Sequence, residues 1–215
     1  MEVDLLTGII LAGGEGKRFG KDKTKIELNG ELLIERIVST LRKSFGEVLI
    51  ITSEEKLKIY ERNLSGLNIK VYPDIYQKKG ALGGIHSGLN FSPHFHSFFV
   101  GCDMPFLNSS LIEYFKEISY GNDVVVAMFE SGFEPLHAVY SKRCISYIED
   151  MIKKDNLKIF DFYNKIKLRI VREDEIKRYD PEKLSFFNIN TEEELKKAIK
   201  IQRLLNRKKR KEGKV

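Results

Sequence analysis

The feature that most constrains the fold of this chain is an alternation of short apolar segments with segments of helical periodicity. The apolar segments lie at residues 8–11, 48–52, 69–72, 98–100 and 124–127. Near-continuous apolar runs of this length are typical of parallel strands that are covered on both faces. Between them, residues 32–43 and 109–118 carry apolar side chains at helical spacing. The alternation therefore predicts an α/β fold in which helices cover both sides of a mostly parallel sheet.

The second half of the chain is less regular and predicts additional mixed strands. These strands are expected near residues 137–140, 168–171 and 186–189. A helix is expected over residues 142–153, and Thr191 and Glu194 have the spacing of a capping box that begins a final helix. A length of 215 residues, of which 42% are hydrophobic, fits one domain with one sizeable core.

The net charge of +6 is concentrated at the C-terminal end. Residues 203–215 contain seven basic residues and one acidic residue, so the preceding 202 residues contain thirty basic and thirty acidic residues. A basic run at a terminus is usually a solvated helix end, which argues against nucleic acid as a partner. We therefore expect a functional domain at residues 1–202, followed by a basic tail at residues 203–215.

Two further features predict the cellular location. The apolar segment at residues 7–12 is too short to cross a bilayer, and it is followed by glycines instead of a signal-peptide cleavage site. The two cysteines, Cys102 and Cys144, are far apart and outside any CxxC pair, so neither a disulfide framework nor a zinc site is supported. We expect a cytoplasmic protein without a membrane partner.

A glycine-rich segment, LAGGEGKRFG at residues 11–20, directly follows the first predicted strand. The backbone N–H groups of such a turn can approach phosphate closely. The segment lacks the spacing of a P-loop, and Phe19 stands where a dinucleotide-binding fingerprint requires a small residue. A plain turn between strand and helix is the alternative, but it does not explain the neighbouring cations Arg18, Lys21 and Lys23. The segment therefore predicts a phosphate-binding loop that is neither a P-loop nor a dehydrogenase loop.

This loop and four later motifs together resemble a known family. LAGG, followed by Arg18, Asp22 and Lys23, is similar to the nucleotidyltransferase signature LAGGxxxRxG…DK. The later motifs are GALGG at 80–84, CDMP at 102–105, EPLH at 134–137 and FNINT at 187–191. In this order, over residues 8 to about 200, the motifs resemble the molybdopterin-guanine dinucleotide synthases, also called molybdenum cofactor guanylyltransferases. Each motif is weak evidence alone, whereas five in register are specific.

The resemblance implies a fold, a reaction and a set of partners. The fold is a single-domain, Rossmann-like three-layer sandwich of the nucleotide-diphospho-sugar transferase type. The reaction is transfer of GMP from GTP to molybdenum-bound molybdopterin, with release of pyrophosphate. Because the acceptor is a phosphate, which is already an anion near neutral pH, the chemistry needs charge neutralisation more than a nucleophilic side chain. The implied cofactor is Mg²⁺, and the implied protein partners are other molybdenum cofactor biosynthesis proteins or acceptor enzymes.

Asp103 is the candidate metal ligand. It follows the apolar segment at 98–100, and the ends of such strands are where open α/β sheets bind ligands. A hard carboxylate oxygen suits Mg²⁺ bridged to substrate phosphates. The alternative, that Asp103 only caps the helix starting near Ser109, requires a cap six residues from the helix.

Cationic residues and the glycine-loop backbone are the candidate nucleotide contacts. Arg18 can make a forked contact with the triphosphate and Lys23 can act as a point charge, although Lys25 is an alternative to Lys23. We count Arg18, Lys23 and Asp103 as the catalytic residues. The backbone groups expected to lie against the nucleotide and read the guanine edge belong to Leu11, Ala12, Gly13 and Gly14.

Further candidates carry weaker signals. Thr52 and Asp74 follow predicted strands at positions that lie near the nucleotide in the family, although both residue types are also common at strand ends and turns. Gly83 belongs to the second glycine motif, and His137 of the EPLH motif is a candidate contact of the pterin. The two asparagines of the FNINT motif stand on either side of an isoleucine, so in a strand their amide groups point to the same face. They either hold metal-bound water or acceptor phosphate, or orient the turn before Thr191. These two amides are Asn188 and Asn190.

Two other functions remain open at this stage. One is a cytidylyltransferase or another nucleotidyltransferase that acts on a pterin, sugar or polyol phosphate. The other is a catalytically inactive nucleotide-binding adaptor that uses the basic tail. The CDMP and FNINT motifs favour molybdopterin as the acceptor, and the joint presence of Arg18, Lys23 and Asp103 argues against an inactive protein.

Overall fold

A computed structural model describes residues 6–13 and 26–212, with side chains described as far as residue 208. The strands are β1 Leu6–Leu11, β2 Glu27–Leu28, β3 Glu31–Leu32, β4 Glu47–Thr52, β5 Lys70–Pro73, β6 His96–Gly101, β7 Val124–Phe129, β8 Gly132–Ser141 and β9 Leu168–Arg172. The helices are α1 Leu33–Leu41, α2 Glu54–Asn63, α3 Gly80–Phe91, α4 Ser109–Glu117, α5 Cys144–Lys153, α6 Glu173–Ile176 and α7 Glu192–Glu212. Short 3-10 helices occur at Ser65–Leu67, Ile159–Lys165 and Leu184–Phe186.

Seven of these strands form one sheet in the order β5-β4-β1-β6-β8-β7-β9. Neighbouring strands run parallel except for β8, which is antiparallel to both β6 and β7. The parallel neighbours require crossover connections, and helices supply them. The predicted α/β fold with a mostly parallel sheet is therefore confirmed.

The two faces of the sheet carry separate hydrophobic cores. Ile9 and Phe99 belong to the core that α3 and α5 cover, whereas their neighbours Ile10 and Phe98 belong to the core that α1 and α4 cover. Because successive strand residues point to opposite faces, each strand needs apolar residues at every position. This explains the continuous apolar segments in the sequence and confirms the three layers. A third, smaller core joins α7 to the β2–β3 hairpin and includes Phe106 and Ile189.

One element of the fold differs from the sequence-based expectation. The strand predicted at 186–189 is wrong: Leu184–Phe186 is a 3-10 helix, and the Ile189 N–H donates to the Asp103 carbonyl (2.9 Å) instead of to a strand. The second glycine motif forms the start of α3. Helix α7 includes the first basic residues of the tail, as expected for a solvated helix end, and the division at 202/203 stays a prediction. Within 6–13 and 26–212, no helix has the length and apolarity needed to cross a bilayer.

His137 occupies a buried aromatic cage. β8 has a bulge at this position: Val126 of β7 pairs with Ala138 of β8, whereas the next residue of β7, Ala127, pairs with Glu134. The imidazole is fully buried, and its ring centroid lies 4.8 to 5.0 Å from the ring centroids of Phe98, Phe115 and Phe186. Its backbone has a φ of 112°, and neither ring nitrogen has a hydrogen-bond partner among the described residues. Burial lowers the pKa of His137 to about 3. The expectation that His137 contacts the pterin is therefore wrong, since its ring faces the core.

This burial predicts a pH dependence of stability. In the unfolded chain His137 binds a proton below about pH 6.5, whereas the folded protein resists protonation until about pH 3. Stability therefore falls as the pH drops below 6.5, by at most about 1.4 kcal/mol per pH unit for this group. His137→Phe should remove this dependence. Urea unfolding at pH 7 and pH 5 should show the unchanged protein losing about 2 kcal/mol more than the variant. Equal losses in the two proteins would contradict the buried, neutral state of His137.

Candidate active site

Four parallel strands end at one edge of the sheet and open a cavity there. Leu11 of β1 is paired with Ile51 of β4 and with Gly101 of β6, while Thr52 of β4 is paired with Pro73 of β5. The cavity has a volume of about 640 Å³ and is lined by residues that follow each of these four strands. This is the position where open α/β sheets bind ligands.

The backbone that leaves β1 forms the floor of this cavity. The Ala12 N–H donates to the Ile51 carbonyl (2.8 Å), and the Cys102 N–H donates to the Leu11 carbonyl (3.1 Å). The Thr52 hydroxyl donates to the Ala12 carbonyl (3.2 Å), so this fully buried side chain supports the floor instead of lining the cavity. Because the Ala12 N–H already donates to the Ile51 carbonyl, the remaining backbone N–H candidates of the loop are Gly13 and Gly14, of which the structure describes Gly13.

Gly13 lies directly against the carboxyl group of Asp74. A Cβ atom at position 13 would lie 3.0 Å from Asp74 Oδ2 and 3.5 Å from the Ser53 nitrogen, so the absence of a side chain at Gly13 lets the Asp74 carboxyl group lie this close to the backbone. Asp74 itself is fixed by its N–H, which donates to the Thr52 carbonyl (2.8 Å). Gly13 and Asp74 both line the cavity, as the sequence predicts for nucleotide contacts.

The Asp74 carboxyl group is half-buried and incompletely bonded. Its Oδ1 atom is buried and has no partner within the part of the chain that the structure describes. Burial raises the pKa of Asp74 to about 6, against the opposing effect of the nearby Ser87 hydroxyl. Because Asp74 lines the cavity, its incompletely bonded carboxyl group is one that a donor on a ligand can satisfy.

Asp103 lies in the turn that follows β6 and also lines the cavity. The turn is held by the Ile189 N–H, which donates to the Asp103 carbonyl (2.9 Å), and by the Gly101 N–H, which lies 3.3 Å from Met104 Sδ. A Cβ atom at position 101 would lie 2.6 Å from Asp103 Oδ1, so the carboxylate folds back over the end of β6. Helix α4 is capped by Asn108, whose side chain accepts from the Leu111 N–H. Asp103 is therefore not the cap of that helix.

The donor set at Asp103 fits a hard divalent cation that is shared with a substrate. Within the described ranges, no group of three or more His, Cys, Asp and Glu side chains could enclose a metal ion. Mg²⁺ does not need such a cage, because it keeps several waters and is bound by one or two carboxylates together with substrate phosphates. The Asp103 carboxylate, beside a cavity that can admit substrate phosphates, matches that requirement.

The other predicted contacts lie around the cavity in different ways. Gly83 is buried within α3, where a Cβ atom would meet the Tyr76 carbonyl at 2.9 Å, whereas its neighbour Gly84 lines the cavity. Asn188 and Asn190 are partly exposed on either side of the buried Ile189. They are adjacent to Asp103 through the Ile189 hydrogen bond, although neither is among the residues that line the cavity.

Several predicted contacts lie outside the described residues. They are Gly14, Arg18 and Lys23, together with the alternative Lys25. Their assignment to the triphosphate therefore stays a sequence-based prediction.

Sequence reasoning missed several residues that line the cavity. Ser53 and Lys56 follow the end of β4, and the rule that ligands bind at strand ends could have identified them. Lys78 precedes α3 with a φ of 60°, a backbone conformation that the residue type does not signal. Leu136 enters the cavity because of the bulge in β8, and bulges leave no clear mark in the sequence.

Comparisons with known proteins agree with this geometry. The family model described as the MobA-like NTP transferase domain matches residues 8–166. The molybdenum cofactor guanylyltransferase of Desulfosudis oleivorans is 39% identical over 198 residues, which cover 91% of this chain and 95% of that protein.

Two solved structures are also similar to this chain. Molybdopterin-guanine dinucleotide biosynthesis protein A from Archaeoglobus fulgidus has a TM-score of 0.78 and 27% identity, covering 91% of this chain and 98% of that one. The 4-diphosphocytidyl-2C-methyl-D-erythritol synthase of Anaerococcus prevotii has a TM-score of 0.67 at 15% identity, covering 94% of this chain and 100% of that one, and so shares the fold. With three quarters of its length matched by one family model, this chain belongs to the MobA-like NTP transferase domain family of nucleotidyltransferases.

Proposed function

We propose that this chain is a molybdenum cofactor guanylyltransferase, which transfers GMP from GTP to the phosphate of molybdopterin and releases pyrophosphate. The observation that carries the proposal is the convergence of Gly13, Asp74 and Asp103 on one cavity at the carboxyl ends of parallel strands. The 39% identity to a molybdenum cofactor guanylyltransferase supports the choice of donor and acceptor. A cytoplasmic location and protein partners in molybdenum cofactor synthesis stay predictions.

The nucleotide binds over the exit of β1. The cavity of about 640 Å³ lies within the range of typical cofactor sites. Gly13 presents bare backbone, which lets a base or ribose approach to van der Waals distance. The Asp74 carboxyl group, which lines the cavity and is incompletely bonded within the described residues, accepts a hydrogen bond from an N–H or O–H group of the nucleotide. Ionised Asp74 is the better acceptor, since protonation would occupy one of its oxygens.

The phosphates lie towards Asp103. Its carboxylate would hold Mg²⁺ jointly with phosphate oxygens, and the bound cation would neutralise charge that builds up at the α-phosphate. The described cations Lys56 and Lys78 also line this cavity, and Arg18 and Lys23 are the predicted additional triphosphate ligands. An oxygen of the acceptor phosphate attacks the α-phosphorus, the bond from that phosphorus to the bridging oxygen breaks, and pyrophosphate leaves. No side-chain nucleophile is required.

The acceptor approaches from the β8 side of the cavity. Leu136 lines the cavity there, and burial raises the pKa of the neighbouring Glu134. Asn188 and Asn190 are candidate ligands of the acceptor phosphate, because the residue between them is hydrogen-bonded to the Asp103 backbone. This arrangement holds both phosphates beside the same carboxylate.

The first test is calorimetric binding of GTP, CTP and ATP with and without Mg²⁺. GTP should bind at least about tenfold more tightly than CTP or ATP. Asp103→Asn should remove most of the Mg²⁺ dependence, because the amide keeps the shape of the side chain and lacks its charge. A matched control is Asp150→Asn, which removes an exposed carboxylate on α5 that lies outside this cavity. Preference for CTP would identify a cytidylyltransferase, and absence of nucleotide binding would overturn the enzymatic assignment.

The second test concerns pH. With a pKa of about 6, Asp74 is mostly protonated at pH 5 and mostly ionised at pH 7. Binding that requires the ionised form should therefore strengthen by up to about tenfold between these values. The γ-phosphate of GTP also titrates in this range, so the comparison is with Asp74→Asn, which should bind more weakly at pH 7 and show a smaller change. Identical pH profiles for the two proteins would rule out the proposed role of Asp74.

A further inference from the structure

Arg36 lies on α1, and its guanidinium group connects that helix to three other parts of the protein. Nε donates to the Pro105 carbonyl at 2.9 Å. One terminal nitrogen forms an ion pair with Glu31 at 3.2 Å, and the other donates to the side-chain carbonyl of Gln202 on α7. The guanidinium carbon also lies 5.9 Å from the centroid of the Phe106 ring. The side chain is only 23% exposed, so these contacts are largely shielded from water.

The Pro105 carbonyl belongs to the turn that presents Asp103. The upstream part of this turn is held by the Cys102 N–H and the Asp103 carbonyl, which bond to β1 and to Ile189 respectively. The turn is next held at Asn108, whose N–H donates to the Ser185 hydroxyl at 3.0 Å. Arg36 therefore fixes the segment between these two anchors, two residues beyond Asp103.

We propose that Arg36 is a positioning residue, which orients the Asp103 turn so that the carboxylate can share a divalent cation with the nucleotide. This inference rests on the proposed function. Arg36 acts through the backbone, because it lines a different groove from the cavity that contains Asp103. Groups that orient a metal ligand commonly affect metal affinity by about 10-fold to 100-fold when they are removed.

Lysine cannot reproduce this arrangement. A guanidinium group directs its N–H donors along fixed, separate directions, so it can serve a carbonyl, a carboxylate and an amide at once. A lysine ammonium is a compact point charge that can satisfy one of these partners well. Arg36→Lys therefore keeps the positive charge and loosens the turn.

Arg42 offers a matched control near the other end of the same helix. It is the C-cap residue of α1, and its guanidinium also donates to two backbone carbonyls, those of Leu67 and Asn68. These carbonyls lie outside the Asp103 turn. Arg42→Lys therefore tests the general effect of removing, from α1, an arginine that bonds to backbone carbonyls elsewhere.

The experiment measures Mn²⁺ binding by electron paramagnetic resonance in the presence of a non-hydrolysable GTP analogue, for the full chain and both variants. Arg36→Lys should weaken Mn²⁺ binding by about tenfold, while affinity for the analogue without metal changes less than about twofold. Arg42→Lys should leave Mn²⁺ affinity unchanged, even if its melting temperature falls. Unchanged Mn²⁺ affinity in Arg36→Lys, or equal weakening in both variants, would overturn the positioning role. If the unchanged protein binds no Mn²⁺ with the analogue, the proposed metal site itself fails, and the inference fails with it.

Discussion

The backbone hydrogen bonds that continue the sheet just beyond β1 are the constraint on which the site depends. The Ala12 N–H donates a hydrogen bond to β4, and the Leu11 carbonyl accepts one from the Cys102 N–H, just after β6. The chain that leaves β1 is therefore fixed between the two neighbouring strands, β4 and β6. This fixes Gly13 next to Asp74 on one side and places Asp103 on the other. Parallel strands make this possible, because their carboxyl ends all meet at one edge. The two hydrophobic cores, one on each face, hold the four strands in that register.

The two carboxyl groups of the site have different surroundings, and this difference suits different tasks. Asp74 is half-buried, with one oxygen lacking a partner among the described atoms and with its pKa raised to about 6. It is therefore a hydrogen-bond acceptor that a nucleotide completes. Asp103 lies in a turn held by β1, Ile189 and Arg36 through backbone atoms, and it lines the cavity. A fixed carboxylate beside substrate phosphates is what Mg²⁺ binding requires.

Much of this arrangement follows from the sequence, because strand ends and motifs are local features. The apolar segments predict the sheet, and the positions of Gly13, Asp74 and Asp103 just after three of those segments place them at one edge. The errors arise where long-range contacts decide the structure. The FNINT motif is expected to be a strand, yet the N–H of its isoleucine donates to the Asp103 carbonyl. His137 is expected to contact a ligand, yet the bulge in β8 directs its ring into a cage of aromatic side chains. Arg36 carries no motif, since two of its partners, Pro105 and Gln202, lie 69 and 166 residues away in the sequence.

The most direct test of this account is a crystal of the protein with a non-hydrolysable GTP analogue and Mn²⁺, with the metal located by its anomalous scattering. We expect a Mn²⁺ peak within about 2.5 Å of an Asp103 carboxylate oxygen, shared with phosphate oxygens of the analogue. The nucleoside should lie over Gly13, with one donor atom within hydrogen-bonding distance of the Asp74 carboxyl group. A nucleotide bound outside this cavity, or a Mn²⁺ peak away from Asp103, would contradict the account.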